Sequence, residues 1–190
     1  MSFLEIIDKA VDYPAYKKNF QNSSKCQNSL ERMDEIEKSL VLDDVFISQI
    51  EHLNRKIIWL VIAGNCSYDC AEVLPIMHKI AGQSKGKILL KVVSKDTFPE
   101  LLEMYNTNGV HAIPKAIVLD EGTMDVLNVW GPRPSFLQNL VLRWNENKDM
   151  SWEDLETQLR IRYKNDKGKN IVQEFVGILN TISIMKIENK

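Results

Sequence analysis

The sequence predicts an α/β protein: a mixed central sheet flanked by helices, with helical N- and C-terminal extensions. Three observations lead there. Residues 56 to 146 alternate strand-like and helix-like patterns. Two runs in that region, "KIIWLVIAG" at 56–64 and "GKILLKVVSKD" at 86–96, are nearly continuous and rich in Ile and Val, as strands buried on both faces are. Residues 1–53 and 149–190 carry apolar side chains at helical spacing instead. The expected division is thus an extension at 1–53, a core at 54–148 and a second extension at 149–190.

In the first extension, Ser2 and Glu5 have capping-box spacing ahead of Ile6, Ile7, Ala10 and Val11, and Pro14 is expected to end or kink that helix. Leu30, Met33, Ile36 and Leu40 predict a second helix, and Val45, Phe46, Ile50 and Leu53 a third. The polar "QNSSKCQNS" at 21–29 between the first two reads as a loop, which makes Cys26 a free thiol in a connector.

In the core, the first strand is followed by "GNCSYDC" at 64–70 and a helix with Val73, Ile76, Met77 and Ile80 on one face. The second strand leads to a short helix that Thr97 can cap. "KAIVLD" and "TMDVLNVW" are two strands joined through Glu121 and Gly122, and "PSFLQNLVLRW" is a closing helix. The order is βαβαββα. Beyond it, Ser151 starts one helix and Asn170 can cap another, joined by the polar "YKNDKGKN", which reads as solvated surface.

Composition bounds the function. With 190 residues, 44% hydrophobic and 26% charged, the chain is an ordinary globular protein. A net charge of -2 and a pI near 6.0 give no electrostatic footprint for nucleic acid. "IIWLVIA" is far shorter than the ~20 residues of a membrane span. "MSFLEIIDKAVDYP" has acids where a signal peptide has its apolar stretch, so the expected location is the cytoplasm. No cofactor is expected. His52, His78 and His111 are scattered and the loop cysteines lack a second pair of ligands, so no metal is expected either.

Two of the three cysteines lie in "GNCSYDC", between a buried strand and a helix start. Helix-start amides and the helix dipole favour a thiolate there. A neighbouring pair can exchange with a partner's disulfide.

Strand, cysteine loop, helix with Pro75 in its second turn, strand, helix, and then "AIP" at 112–114 leading into a hairpin and last helix resembles the thioredoxin fold. The similar subgroup carries Trp-Cys-x-Asp-Cys and Trp-Gly-Pro-Arg-Pro; here "SYDC" keeps Asp69, and "WGPRP" stands intact at Trp130 to Pro134. Counted from Pro75, Cys70 takes the place of the second cysteine, Ser67 that of the first, and Cys66 that of the preceding tryptophan. Val61 stands where many thioredoxins bury an acid. The resemblance implies a thiol–disulfide oxidoreductase or redox sensor, with Cys66, Cys70, Ser67 and Asp69 at the reactive loop. It also implies that Tyr68, Ile113, Pro114, Trp130 and Arg133 meet the substrate, with Pro114 as cis-proline. Expected partners are protein or peptide thiols and disulfides, with no nucleic acid, membrane or metal.

Three readings of the loop remain open. Cys66 and Cys70 can bridge, since residues four apart in a helical turn have α-carbons about 6 Å apart, within disulfide range. Cys70 can act alone, with Ser67 donating a hydrogen bond to its thiolate and Asp69 opposing ionisation. Or there is no thiol chemistry, and the fold serves as a redox-inactive peptide-binding module. Arg133 can pair with Asp69, with a substrate carboxylate, or with water alone. Tyr68 is expected at an exposed loop tip, and His111 at the rim.

Overall fold

The computed structural model describes residues 2–21 and 24–185. Asn22 and Ser23 of the expected connector, and the last five residues of the C-terminal extension, lie outside them. Four strands, β1 (Ile57–Ala63), β2 (Ile88–Ser94), β3 (Lys115–Asp120) and β4 (Val126–Trp130), form one sheet in the order β2-β1-β3-β4. β1 runs parallel to β2 and antiparallel to β3, and β3 is antiparallel to β4. The chain therefore adopts the expected α/β class with a mixed sheet.

β1 is central, and all seven of its residues are buried, which is why its sequence shows no alternation. Its side chains still divide by the period of two. Trp59, Val61 and Ala63 join one core with α2 (Tyr13–Gln21), α3 (Gln27–Ser39), α5 (Tyr68–Gln83) and α9 (Lys169–Ile184). Ile58, Leu60 and Ile62 join the other, with Ile6 of α1 (Phe3–Lys9) and Leu101 and Leu102 of α6 (Pro99–Met104). Helices α4 (Asp44–Glu51), α7 (Ser135–Asn147) and α8 (Trp152–Asp166) complete the first layer.

Several local expectations change. Pro14 does not end a helix; it stands at the second position of α2, where a missing N–H costs nothing. The break falls earlier, where Val11 makes an isolated antiparallel bridge to Val92 of β2. β2 is buried in part rather than throughout, with Leu89 and Ser94 exposed. The connector around Cys26 is shorter than expected, because a 3-10 turn at Ser24–Cys26 leads directly into α3. Thr97 caps nothing: Phe98 precedes α6, and Pro99 supplies its first residue. β4 begins at Val126, after a turn in which the Asp120 carboxylate accepts from the amides of Gly122 and Thr123. Asn170 lies inside α9, whose N-cap is Gly168, and hydrogen-bonds Asp166. Gly168 itself is buried in the turn read as solvated surface.

Candidate thiol site

β1 ends at Ala63, and the chain turns through Gly64, Asn65, Cys66 and Ser67 into α5. Ser67 is the N-cap of α5: its hydroxyl accepts from the Cys70 amide at 3.3 Å. The serine at the first-cysteine place thus has a local structural task. Cys66 precedes it with φ 60°, a left-handed conformation that turns the chain away from the helix axis.

The two loop cysteines do not pair. Cys66 is bonded instead to Cys26, with α-carbons 4.5 Å apart across 40 residues of sequence. This corrects two expectations: Cys26 is not a free thiol, and Cys66 is unavailable to Cys70 while this bond stands. The reason is geometric. Cys66 lies outside the helix and faces the start of α3, where the Ser29 hydroxyl also reaches the Cys66 carbonyl at 3.5 Å. Cys70 lies inside the first turn of α5 and is completely buried. Cys26 is also fully buried, whereas residue Cys66 is exposed.

Burial pushes the Cys70 thiol up to about 11, with the Asp69 charge adding to the rise and the polar Ser67 and Gly64 groups beside it opposing. At neutral pH Cys70 is a protonated core thiol. Tyr16 also donates to the Gly64 carbonyl at 2.9 Å, so α2 holds the end of β1 from beneath the loop.

Asp69 is held on the opposite side. Arg133 grips it through two bonds, Nε to Oδ1 at 3.0 Å and Nη2 to Oδ2 at 2.6 Å, and the Tyr163 hydroxyl donates to Oδ1 at 2.8 Å. Burial pushes its carboxyl upward, against the pull of Arg133 and Tyr163. Of the three partners open to Arg133, the intramolecular one, Asp69, is taken up here. Tyr68 is half-buried rather than exposed at a tip: its ring lies beneath the guanidinium of Arg160, 4.5 Å from the ring centre, and 6.1 Å from the ring of Tyr163.

The remaining expected residues fall into two neighbouring loops. The Ile113–Pro114 and Gly131–Pro132 bonds are both cis. Ile113 overhangs the cysteine loop, since a Cβ on Gly64 would stand 2.7 Å from its Cδ1. Gly131 has φ 109°, and a side chain there would meet the Pro114 carbonyl oxygen, so the two proline loops touch backbone to backbone. Buried Lys115 reinforces this contact, donating to the Gly131 carbonyl at 2.9 Å and to the Thr107 hydroxyl. Trp130 is buried, and its Nε1 donates to Glu174 of α9 at 2.6 Å. His111 is exposed and meets Glu103. Val61 is fully buried.

Sequence reasoning misread Cys26 as a free thiol and missed Tyr16, Tyr163 and the Arg32–Glu72 pair. Arg32 Nε and Nη2 donate to the two Glu72 oxygens at 2.6 and 3.0 Å, joining α3 to α5. Burial pushes the Glu72 carboxyl up, and the two bonds from Arg32 oppose that. Only the presence of a third cysteine hinted at any of these; the others carry no local signal. Among the described residues, no group of three or more His, Cys, Asp or Glu is placed to hold a metal ion, and no helix is long and apolar enough to cross a membrane.

A family model described as thioredoxin matches residues 16–166. No curated protein matches the chain. Among solved structures, the chain is similar to an HIV epitope scaffold, with a TM-score of 0.70, 18% identity, and 95% of this chain and 99% of that one covered. A Pseudomonas aeruginosa protein of unknown function is similar with a TM-score of 0.72 and 18% identity, covering 95% and 98%. At that identity both likenesses speak for the fold alone.

Proposed function

Because this chain belongs to the thioredoxin family, we propose that it is an atypical thiol–disulfide oxidoreductase or redox sensor, in which Cys66 is the exchanging sulfur and Cys26 its partner. The single observation that supports this reading is the asymmetry of the Cys26–Cys66 bond: one residue is exposed on the loop before a helix start, and the other is buried. Exchange needs an accessible sulfur to be attacked and a shielded one to resolve the intermediate. In a reducing compartment a disulfide serves catalysis or sensing far more often than structure.

In the reduced protein, the Cys66 thiolate attacks one sulfur of a substrate disulfide. A mixed disulfide forms, and the other substrate sulfur leaves as a thiolate that takes up a proton. The Cys26 thiolate then attacks Cys66 Sγ, restoring the intramolecular bond and releasing the second substrate thiol. The substrate gains two electrons and the protein loses two. Cys70 takes no part, because its thiol is protonated at neutral pH and closed off from solvent. Asp69 and Ser67 position the loop, while Ile113 and Pro114 border the substrate.

Turnover of a peptide disulfide with a dithiol reductant tests the reading. Wild type and Cys70→Ser are expected to turn over alike, and Cys66→Ser not at all. Cys66→Ser with undiminished turnover, or a bond that no reductant opens short of unfolding, sinks it. The 40-residue span of the bond favours a second reading, a redox-inactive peptide-binding module whose disulfide staples the N-terminal helices to the loop. That reading predicts a peptide affinity unchanged by reduction.

A further inference from the structure

Beside the disulfide, α3 and α8 form the walls of a cleft of 390 Å³, within the ~300–1,000 Å³ range of small-ligand sites. Asn28, two residues after Cys26, and Tyr68, two residues after Cys66, both line it. The lining therefore comes within two residues of each partner of the bond along the chain.

Its two walls carry opposite charge. On the α8 wall stand Arg160 and Lys164, and among the described residues neither is engaged in an ion pair. The Arg160 guanidinium lies over the Tyr68 ring, 4.5 Å from its centre, a contact that holds the side chain at the cleft. On the α3 wall stand Glu31, Glu35 and Arg32. Arg32 is taken up by Glu72 and by Glu35 at 2.8 Å, which neutralises Glu35 as well. Glu31 accepts from the Gln27 amide at 3.0 Å and, among the described residues, is engaged in no ion pair. Ile161 adds apolar surface between the two charged sets.

An anion alone would face Glu31, and a cation alone would face Arg160 and Lys164. A molecule with both an ammonium and a carboxylate satisfies both walls. We propose that this cleft binds a small zwitterionic thiol of the amino-acid or short-peptide type, its carboxylate on Arg160 and Lys164 and its ammonium on Glu31, and presents its sulfur to Cys66. The substrate assignment rests on the exchange reading above; the binding site does not. In the exchange step, the thiolate of the bound molecule attacks Cys66 Sγ, the Cys26–Cys66 bond breaks, and Cys26 leaves as a thiolate that takes up a proton. A second molecule of the same thiol then attacks the mixed disulfide, giving reduced protein and the small disulfide.

The test uses S-methylglutathione, a zwitterionic probe without a free thiol, titrated calorimetrically into the oxidised full-length protein. Saturable binding is expected, weakened about tenfold in Arg160→Gln and less in Lys164→Gln, both exposed positions where folding is not at stake. Glu31→Gln is expected to weaken it as well. The absence of saturable binding, or affinity indifferent to Arg160→Gln, overturns the site. N-acetylated probe binding as tightly as the free amine overturns the ammonium assignment. Separately, reduced Cys26→Ser protein, in which a mixed disulfide on Cys66 is not resolved, is mixed with glutathione disulfide and Cys66 is followed by mass spectrometry. Binding without any adduct on Cys66 removes the exchange reading and leaves the cleft. Adduct formation equally fast with and without Arg160→Gln in that background removes the cleft and leaves exchange.

Discussion

The first turn of α5 is fastened on two flanks, and the fastenings differ in kind. Toward α2 and α3 they are the Cys26–Cys66 bond and the Arg32–Glu72 pair, with the Tyr16 hydroxyl of α2 on the Gly64 carbonyl. Toward the β4–α7 corner and α8 they are Arg133 and Tyr163 on Asp69. Both flanks use nearly buried charge pairs, but only the α3 side contains a bond that electrons can open. Reduction is therefore expected to loosen one side of the loop and leave the other as it was.

The largest effect should come from Glu72→Ala. It leaves the Arg32 guanidinium buried with only half-exposed Glu35 beside it, and is expected to cost about 3–5 kcal/mol in urea unfolding. A loss under about 1 kcal/mol would show that Glu35 suffices, and that the α3 flank hangs on its disulfide. Opening the bond comes next. The chain-entropy argument for a ring closed over 40 residues gives up to about 4 kcal/mol. Amide exchange in oxidised and reduced protein should speed up over α2, the start of α3 and residues 64–67, and stay level over 130–135. Equal acceleration on both sides would end the comparison.

Cys70 sets a pH dependence between the two flanks. Its thiol sits at about 11 in the folded chain against an ordinary 9.0, so the unfolded chain ionises first as pH rises. The contribution is fully present below pH 9 and is lost as pH rises through 11, with a ceiling of about 3 kcal/mol. Unfolding of Cys70→Ala across pH 8 to 11 should lack that slope, and an unchanged slope would show that other groups produce it. The smallest effect is expected from Asp69→Asn, which keeps the Tyr163 contact and weakens the grip of Arg133. About 2 kcal/mol in thermal unfolding fits a charged hydrogen bond of this burial. A loss matching Glu72→Ala would make the two flanks equals.

What the sequence revealed follows from where each signal resides. β1 and β3 could be read because their apolar runs report their own burial, and α5 because Val73, Ile76, Met77 and Ile80 report one face. Asp69 and Arg133 could be named because each lies in a motif, although their union depends on a corner 64 residues away. Cys26 could not be placed: its neighbours in "QNSSKCQNS" are polar, yet the 3-10 turn carries this one side chain inward. A bond across 40 residues leaves no periodicity to read. The Cys66–Cys70 expectation counted residues along a helix, but Cys66 sits before the N-cap with a left-handed φ, so helical spacing does not apply. Pro14 misled for a related reason, since a proline that stops one helix also starts the next well.

Gly131 offers a way to tune this surface that involves no sulfur. Its α-carbon rests on the Pro114 carbonyl, and Ile113 in turn overhangs Gly64, so a single added methyl at 131 must wedge the two proline loops apart. The three cysteines, Ser67 and Asp69 would be unchanged in identity. A graded series from alanine to larger residues at this point would work as a mechanical dial, changing the spacing of the two proline loops while leaving the cysteine loop's residues as they are.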